Sequence, residues 1–232
     1  MKNATRVFAS TFGAIMALAG IEHGIGEILQ GSVSPNGIMI LSWPESEFFR
    51  SLSGEPAMTV IPNLLVTGVL AVFVSLALLV WAVLFVHRKN GGWIMITLSA
   101  AMLLVGGGIF PPIFGILIGA VATRIHTPGS SLKNHRLGGF QRFLARLWPW
   151  SYAACIIAWL CLLPGVPLLD YFFGGDNTVI ILAILFFALS TLVLTVVTGF
   201  ARDIQMQTGT PSYIQDTDQL KGRISAKKPS HI

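Results

Sequence analysis

The sequence predicts an all-α fold, a polytopic transmembrane helical bundle of five to six membrane segments, and three observations support this prediction. The first is composition: 53% of the 232 residues are hydrophobic and 11% are charged, whereas about a quarter of the residues in a soluble domain are charged. The second is that the apolar residues form long runs, and about 20 such residues span a bilayer as a helix. The third is that the basic residues gather in a few segments between these runs. A soluble protein is excluded.

One membrane-embedded domain, residues 1–201, contains the predicted segments. They lie at about residues 7–29, 64–86, 93–109, 113–125, 150–169 and 178–200.

The first segment contains Ala17-Leu18-Ala19, a small-x-small pattern like that of a signal-peptide cleavage site. Its apolar residues continue to Leu29, which favours a retained anchor, and cleavage after Ala19 is the alternative. At 100° of rotation per residue its small residues form one stripe, which predicts close packing and a central position with helices on both the glycine side and the Glu22 side. The stripe comprises Gly13, Ala17, Gly20, Gly24 and Gly31.

Residues 31–61 form the predicted external loop, which is partly apolar. Ser42 followed by Glu45 fits a capping box, and Pro44 is tolerated in the first turn of a helix. This pattern predicts a short helix from Trp43 to Leu52.

The third apolar run is too long for one upright helix and is broken in the middle by Gly106–Gly108 and Pro111–Pro112. Such a cluster should end a helix. One interpretation is a single kinked helix, which gives five spans. The other is a helix over 93–109 and a short or re-entrant return over 113–125, which gives six. The break could expose backbone groups to a ligand, as in transporters, or form a tight hairpin packed through glycine.

The distribution of charge favours the six-segment interpretation, because short loops rich in Lys and Arg stay in the cytoplasm. A return hairpin places all the basic clusters on one side, and the loops of the other side then contain Arg50 as their only base. We therefore expect both termini in the cytoplasm and the protein in the plasma (cell) membrane. The clusters comprise Lys2, Arg6, Arg88, Lys89, Arg124, Lys133, Arg136, Arg142, Arg146, Arg202, Lys221, Arg223, Lys227 and Lys228.

Two cytoplasmic regions complete the chain. Residues 126–148 are predicted to form a basic interfacial loop, in which residues 139–148 alternate apolar and arginine side chains at helical spacing and should bind anionic lipid. Residues 202–232 are polar and basic, so a disordered tail is expected.

The candidate site consists of ionisable residues within the first span, because such residues are expensive in a membrane and usually functional. His23 and Glu27 lie one turn apart beside the glycine stripe, whereas Glu22 points to the opposite side. Together with Asn63 they form a candidate polar pocket in the outer half. The Glu22 carboxyl group should be protonated or paired near neutral pH, and the candidate partners are His23, Arg50, Asn63 and Thr67. The alternative is that these groups only bond to neighbouring helices.

No cofactor or metal is expected. A histidine and a carboxylate four residues apart could share a metal ion, but the remaining histidines belong to the inner face or the tail and cannot add ligands. Cys155 and Cys161 lie on different helix faces and are interpreted as small hydrophobic side chains. No catalytic residues can be named, so enzymatic activity is not favoured. The remaining histidines are His87, His126, His135 and His231.

Three classes of function stay open. The best supported is binding or transport of an ion or small solute through an outward-facing polar pocket on the first helix. The others are a membrane-embedded enzyme or redox subunit acting on a lipid-like substrate, and a structural or accessory subunit. The expected partners are the bilayer, with anionic lipids at the cytoplasmic face, and another copy of the chain through glycine-rich helix faces. Nucleic acid is not expected despite the net charge of +5, because the bases lie in membrane-flanking segments.

Overall fold

The computed structural model describes residues 3–126, 139–174 and 178–208, and 78% of these residues are helical. The helices are α1 (Ala4–Gln30), α2 (Leu64–Val80, continued by a π turn over Trp81–Phe85), α3 (Gly91–Leu104), α4 (Phe110–Ala122, followed by a 3₁₀ turn over Thr123–His126), α5 (Gly139–Leu160, continued by a π turn over Cys161–Gly165), α6 (Val166–Phe173) and α7 (Thr178–Thr208). Two short strands, β1 (Met39–Leu41) and β2 (Pro56–Met58), form an antiparallel pair.

The nearly all-α architecture with long apolar helices is confirmed. Within the described residues, four helical stretches are long and apolar enough to cross a membrane, and α3 and α4 are apolar but shorter. At 1.5 Å per residue α3 and α4 each cover about 20 Å, which is less than the ~30 Å hydrocarbon core. The four long stretches are Ala4–Gln30, Leu64–Phe85, Gly139–Phe173 and Val179–Met206.

The third apolar run is two helices, as the glycine and proline cluster indicated. Helix α3 ends at Leu104 rather than near residue 109, and α4 begins at Phe110 rather than 113. The earlier start has a simple cause: the prolines at 111 and 112 occupy the first turn of α4, where a missing N–H breaks no helical bond. Gly106 and Gly108 reverse the chain with φ angles of 92° and 84°.

The predicted helix over Trp43–Leu52 is wrong. Within this segment only Arg50–Leu52 form a 3₁₀ turn, and the flanking residues pair as β1 and β2, with Met39 opposite Met58. The capping box fails because the Ser42 hydroxyl donates to Glu27 on α1 instead of capping a helix.

The β1–β2 hairpin is joined to the connection between α3 and α4 by backbone hydrogen bonds. Val60 donates to the Leu104 carbonyl at 3.0 Å, and Gly106 donates to the Met58 carbonyl at 2.9 Å. Irregular backbone within a membrane requires such internal partners.

Helix α1 is the most buried of the four long stretches: half of its most apolar window is buried, compared with 17–28% for the others. The glycine stripe packs closely, because Gly13 faces Met95, Gly20 faces Met102, and Gly24 faces Gly68 of α2. Gly31 does not share this packing, since it ends the helix with nothing within 4 Å of the position of a Cβ.

The expectation that the Glu22 side of α1 is also covered is wrong. Leu18 and Ile25, which lie on the same line of the helix as Glu22, are 56% and 44% exposed. The cause is that the closest neighbours of α1, helices α2 and α4, pack on its other faces.

The two ends of the bundle differ in composition. One end contains the start of α1, where Asp203 of α7 accepts hydrogen bonds from the backbone of Ala4 and Thr5, and where the Asn3 amide reaches the Ile125 carbonyl. The described members of the basic clusters belong to this end: Arg6, Arg88, Lys89, Arg124, Arg142, Arg146 and Arg202. The hairpin and the α3–α4 connection lie at the opposite end, which we call the hairpin end.

Two predicted regions fall partly outside the described residues. Residues 127–138 of the basic loop lie outside them, and residues 139–148 form the first turns of α5, which continues through Pro149. In the predicted tail, residues 202–208 continue α7 instead of being disordered, and residues 209–232 lie outside the described residues.

Candidate functional site

Three ionisable side chains meet at the hairpin end of α1. The Nδ1 atom of His23 is 3.1 Å from Oε2 of Glu22, and its Nε2 atom is 2.9 Å from Oε2 of Glu55. Glu22 and His23 come from α1, whereas Glu55 immediately precedes β2. The His23 side chain is 3% exposed and that of Glu22 is 32% exposed. The helix and the hairpin therefore build one cluster, which we call the acid–histidine cluster (Glu22, His23 and Glu55).

The hydrogen bonds of His23 show which ring nitrogen carries a proton. Nδ1 lies 3.0 Å from the carbonyl oxygen of Ala19, which can only accept, so Nδ1 is the donor. In a neutral ring Nε2 then presents a lone pair to the Glu55 oxygen 2.9 Å away. Lone pairs at this distance repel each other, so a proton or another cation has to lie between Nε2 and Glu55.

An uncommon backbone conformation positions Glu55. Ser53, Gly54 and Glu55 have φ angles of 55°, 73° and 57°, in the left-handed region that few residues other than glycine adopt. The turn is held by Ser42, whose backbone N–H donates to the Glu55 carbonyl at 3.0 Å. Such conformations cost about 1–3 kcal/mol each and cluster at functional sites, which marks this turn as a functional candidate.

Glu27 is completely buried one turn after His23. Its Oε1 atom accepts a hydrogen bond from the Ser42 hydroxyl at 3.4 Å, and its Oε2 atom has no hydrogen-bond partner. A buried carboxylate with an oxygen left unpaired is costly. Oε2 of Glu27 is therefore a buried hydrogen-bond acceptor, one turn of α1 from His23, that no described side chain uses.

The connection between α3 and α4 packs against both His23 and Glu27. A Cβ placed on Gly108 would lie 2.7 Å from Nε2 of His23, and one placed on Gly106 would overlap the Glu27 carboxylate. The structure thus brings together two features that the sequence singled out separately, the ionisable residues of the first span and the glycine-rich break. Because residue 108 has no side chain, its backbone can lie close against the face of the His23 ring.

The structure places the other predicted partners elsewhere. Asn63 caps α2 through the Val66 N–H, and its amide nitrogen donates to Ser32 at 2.8 Å. Arg50 lies 3.6 Å from Asp170 of α6 rather than beside Glu22. Thr67 pairs with the Thr59 hydroxyl at 3.0 Å.

Glu22 also differs from its predicted geometry. The helical rotation points it away from His23, but its flexible side chain turns back to the ring. One of its oxygens is buried without a hydrogen-bond partner. The cluster is consequently reached from the side of the bundle that carries Leu18 and Ile25.

The core on the other side of the cluster is apolar. Phe8, Phe12, Met16, Met95 and Met102 are almost completely buried in the interior of the bundle. Among the described residues, the buried acidic and basic side chains are His23, Glu27 and Asp170 toward the hairpin end and Asp203 at the opposite end. No charged path joins the two ends within this described part of the chain.

The donor atoms of the acid–histidine cluster suit a metal ion. One atom from each of Glu22, His23 and Glu55 can be chosen so that all lie within 4.8 Å of one another. The sequence prediction of no metal site considered only the histidines and Glu27, and it missed Glu55. No feature of the sequence separates Glu55 from Glu45 and Glu47, because only the folding of the hairpin brings it to α1.

Comparison of the chain with protein-family models, with curated proteins and with solved structures found no match. Fold and composition define the class as a helical protein with apolar helices able to cross a membrane.

Proposed function

We propose that the chain is a multi-pass protein of the cell membrane that binds a small cation in its outer half, at Glu22, His23 and Glu55. The observation that carries the proposal is the 2.9 Å separation of Nε2 of His23 from Oε2 of Glu55. Since Nδ1 is already a donor, this pair needs a proton or another cation between its atoms. Two carboxylates around one histidine favour a cation over an anion or a neutral solute.

Binding is favoured over transport. The apolar core that separates the cluster from Asp203 offers no series of charged groups along which an ion could pass within the described residues. Ionisable residues in membranes usually mark such pathways when transport occurs. We therefore assign the cluster to binding, with sensing or stabilisation as its consequence.

The proposed topology has six segments, with both termini in the cytoplasm and the hairpin outside. It is supported by the return of α4 to the end that contains Asn3 and Asp203 and by the basic residues at that end. Under this topology, Glu22 lies about 12 Å inside the membrane from the end of α1.

The function is tested by thermal unfolding of the purified full chain in detergent, with no polyhistidine tag, across a panel of Na⁺, K⁺, Mg²⁺, Ca²⁺, Mn²⁺, Co²⁺ and Zn²⁺ salts. At least one cation should raise the unfolding midpoint, because a ligand at about 100 times its Kd adds about 2.7 kcal/mol to stability. Glu55→Gln should abolish the rise. Glu45→Gln, which alters an exposed carboxylate of the same hairpin, should retain it. Absence of any rise in the wild type would refute the proposal.

A second candidate is a purely structural role, in which His23 forms ion pairs with Glu22 and Glu55 and binds no further cation; we call this an internal clasp. It is favoured by the fact that both ring nitrogens of His23 already have partners. In that case the protonated ring of His23 only fastens the hairpin to α1. Glu55→Gln would then lower stability equally in every salt.

A further inference from the structure

We infer that the cation is a transition-type divalent metal of the Zn²⁺ class, held by Nε2 of His23 and by carboxylate oxygens of Glu55 and Glu22. This inference rests on the proposed function and narrows it to one class of ligand.

The donor set distinguishes between classes of cation. Ca²⁺ takes six to eight oxygen ligands and Mg²⁺ prefers octahedral oxygen, whereas imidazole nitrogen suits Zn²⁺, Cu²⁺, Ni²⁺ and Fe²⁺. The acid–histidine cluster offers one imidazole and two carboxylates. This is the composition of a three-ligand zinc site that keeps its fourth position open.

Metal binding at Nε2 requires movements of two side chains. Bonds of about 2.0–2.2 Å in tetrahedral geometry place ligand atoms about 3.4 Å apart, and the donor atoms lie within 4.8 Å of one another. Nε2 and the Glu55 oxygen, at 2.9 Å, have to separate slightly. Glu22 has to turn from Nδ1 toward Nε2, and its partly exposed side chain has the freedom to do so.

The surroundings of the histidine ring match those of a metal ligand. The Ala19 carbonyl accepts from Nδ1 at 3.0 Å, and such a bond fixes the tautomer that leaves Nε2 for the metal. The position of the missing Cβ of Gly108 lies 2.7–3.0 Å from Nε2, Cδ2 and Cε1 of the ring, so the backbone at Gly108 packs on the ring face and helps to fix its orientation.

A second, independent observation is the unpaired oxygen of Glu27. This carboxylate is completely buried, and the strand of chain that covers it, Gly106–Gly108, also covers His23. A divalent ion at Nε2 would place a positive charge one helical turn from this buried carboxyl group. Glu22 is the most exposed member of the cluster, at 32%.

The test is equilibrium dialysis of the untagged full chain in detergent against Zn²⁺, with Co²⁺ as a spectroscopic probe. We expect a tight site that binds one Zn²⁺ per chain and that is weakened at least about tenfold by Glu55→Gln or Glu22→Gln but not by Glu45→Gln. Co²⁺ should give the intense visible absorption of a four-coordinate site, which a merely structural cluster would not produce. Gly108→Ala should also weaken Zn²⁺ binding, because its Cβ would press on the face of the His23 ring and displace it.

The outcomes distinguish failure of the metal inference from failure of the proposed cation binding. If Zn²⁺ and Co²⁺ do not bind but another cation stabilises the wild type and not Glu55→Gln, the metal inference is wrong and the proposed function stands. If no cation binds, both are wrong. If Zn²⁺ binds equally to the wild type and Glu55→Gln, the ion sits elsewhere in the chain and the inference is overturned.

Discussion

Gly106 and Gly108 determine how closely the chain can approach the ionisable residues of α1. Both have positive φ angles, and both would bring a Cβ into contact with a charged or polar side chain, Glu27 in one case and His23 in the other. Glycine is thus required at these positions for two reasons, backbone conformation and space. The two effects can be separated experimentally, because Gly31 has a similar φ angle of 79° with nothing within 4 Å.

Gly108→Ala should destabilise the protein more than Gly31→Ala does. A residue other than glycine at a positive φ angle costs about 1–3 kcal/mol, and both variants introduce this strain. Overpacking against His23 should add about 1–3 kcal/mol for Gly108→Ala alone. The unfolding midpoints of both variants in detergent measure this difference. Equal destabilisation would show that the α3–α4 connection does not press on the histidine.

At the residue scale the sequence identified part of the site. Glu22, His23 and Glu27 are recognisable because charged side chains stand out within an apolar run. Glu55 is not recognisable, since it lies far along the chain among other acidic residues of a loop. The position of Asn63 next to a span predicts a residue of the polar pocket. An asparagine at the start of a helix can also cap it, and this is the role that the structure shows.

At the scale of elements, the short helices α3 and α4 explain why the external segment is partly apolar. If they start at the basic end, they cover about 20 Å and leave space below the outer surface of a ~30 Å core. The β1–β2 hairpin fills this space and pairs its backbone with the α3–α4 connection. Under the proposed topology, the apolar residues of this segment would cover the outer ends of α3 and α4 at the surface of the hydrocarbon core.

The contact between α1 and α2 depends on a pair of glycines, Gly24 and Gly68. A Cβ on Gly24 would lie 2.8 Å from the Gly68 carbonyl oxygen. Gly24→Leu should lower the unfolding midpoint markedly, because the helices would have to separate. Gly37→Leu is the matched control, since nothing lies within 4 Å of its Cβ position. A midpoint for Gly24→Leu as high as that of the control would show that this face of α1 tolerates bulk.

Elements with strong local signals were predictable and those made by distant pairing were not. Long apolar runs identified the membrane-type helices, and the glycine and proline cluster identified the break in the third run. The strands β1 and β2 were missed because each is three residues long and exists only through its partner. The capping-box pattern was misleading, because the Ser42 hydroxyl donates a hydrogen bond to Glu27 of α1 instead of capping a helix.

At the scale of the whole molecule, the central position of α1 joins the two ends of the bundle. Its start is tied to α7 through Asp203, and its other end carries the acid–histidine cluster and the hairpin. Binding at the cluster would therefore fasten the hairpin to the helix on which much of the bundle packs. Under the proposed function, a cation bound at the cluster would therefore directly affect the stability of the core.

The topology can be tested with single cysteines at Ser34 and Ser131, introduced after Cys155 and Cys161 are replaced by serine. An impermeant thiol reagent on intact cells should label Ser34→Cys and not Ser131→Cys, because the basic segment should be cytoplasmic. Permeabilised cells serve as the control and should show labelling at both positions. Equal labelling of both positions in intact cells would contradict the six-segment topology and support the five-span arrangement.

The central claim, that His23 and Glu55 share a cation, is tested most directly by a double-mutant cycle measured with and without the cation. The cycle compares the unfolding free energies of the wild type, His23→Gln, Glu55→Gln and the double variant, first in a chelator and then in the cation that stabilises the wild type. Contacting residues usually show couplings of about 0.5–3 kcal/mol. The coupling free energy between His23 and Glu55 should rise when the cation is added, because the ion links the two side chains. A coupling that is the same in chelator and in cation would contradict it and leave His23 as an internal clasp.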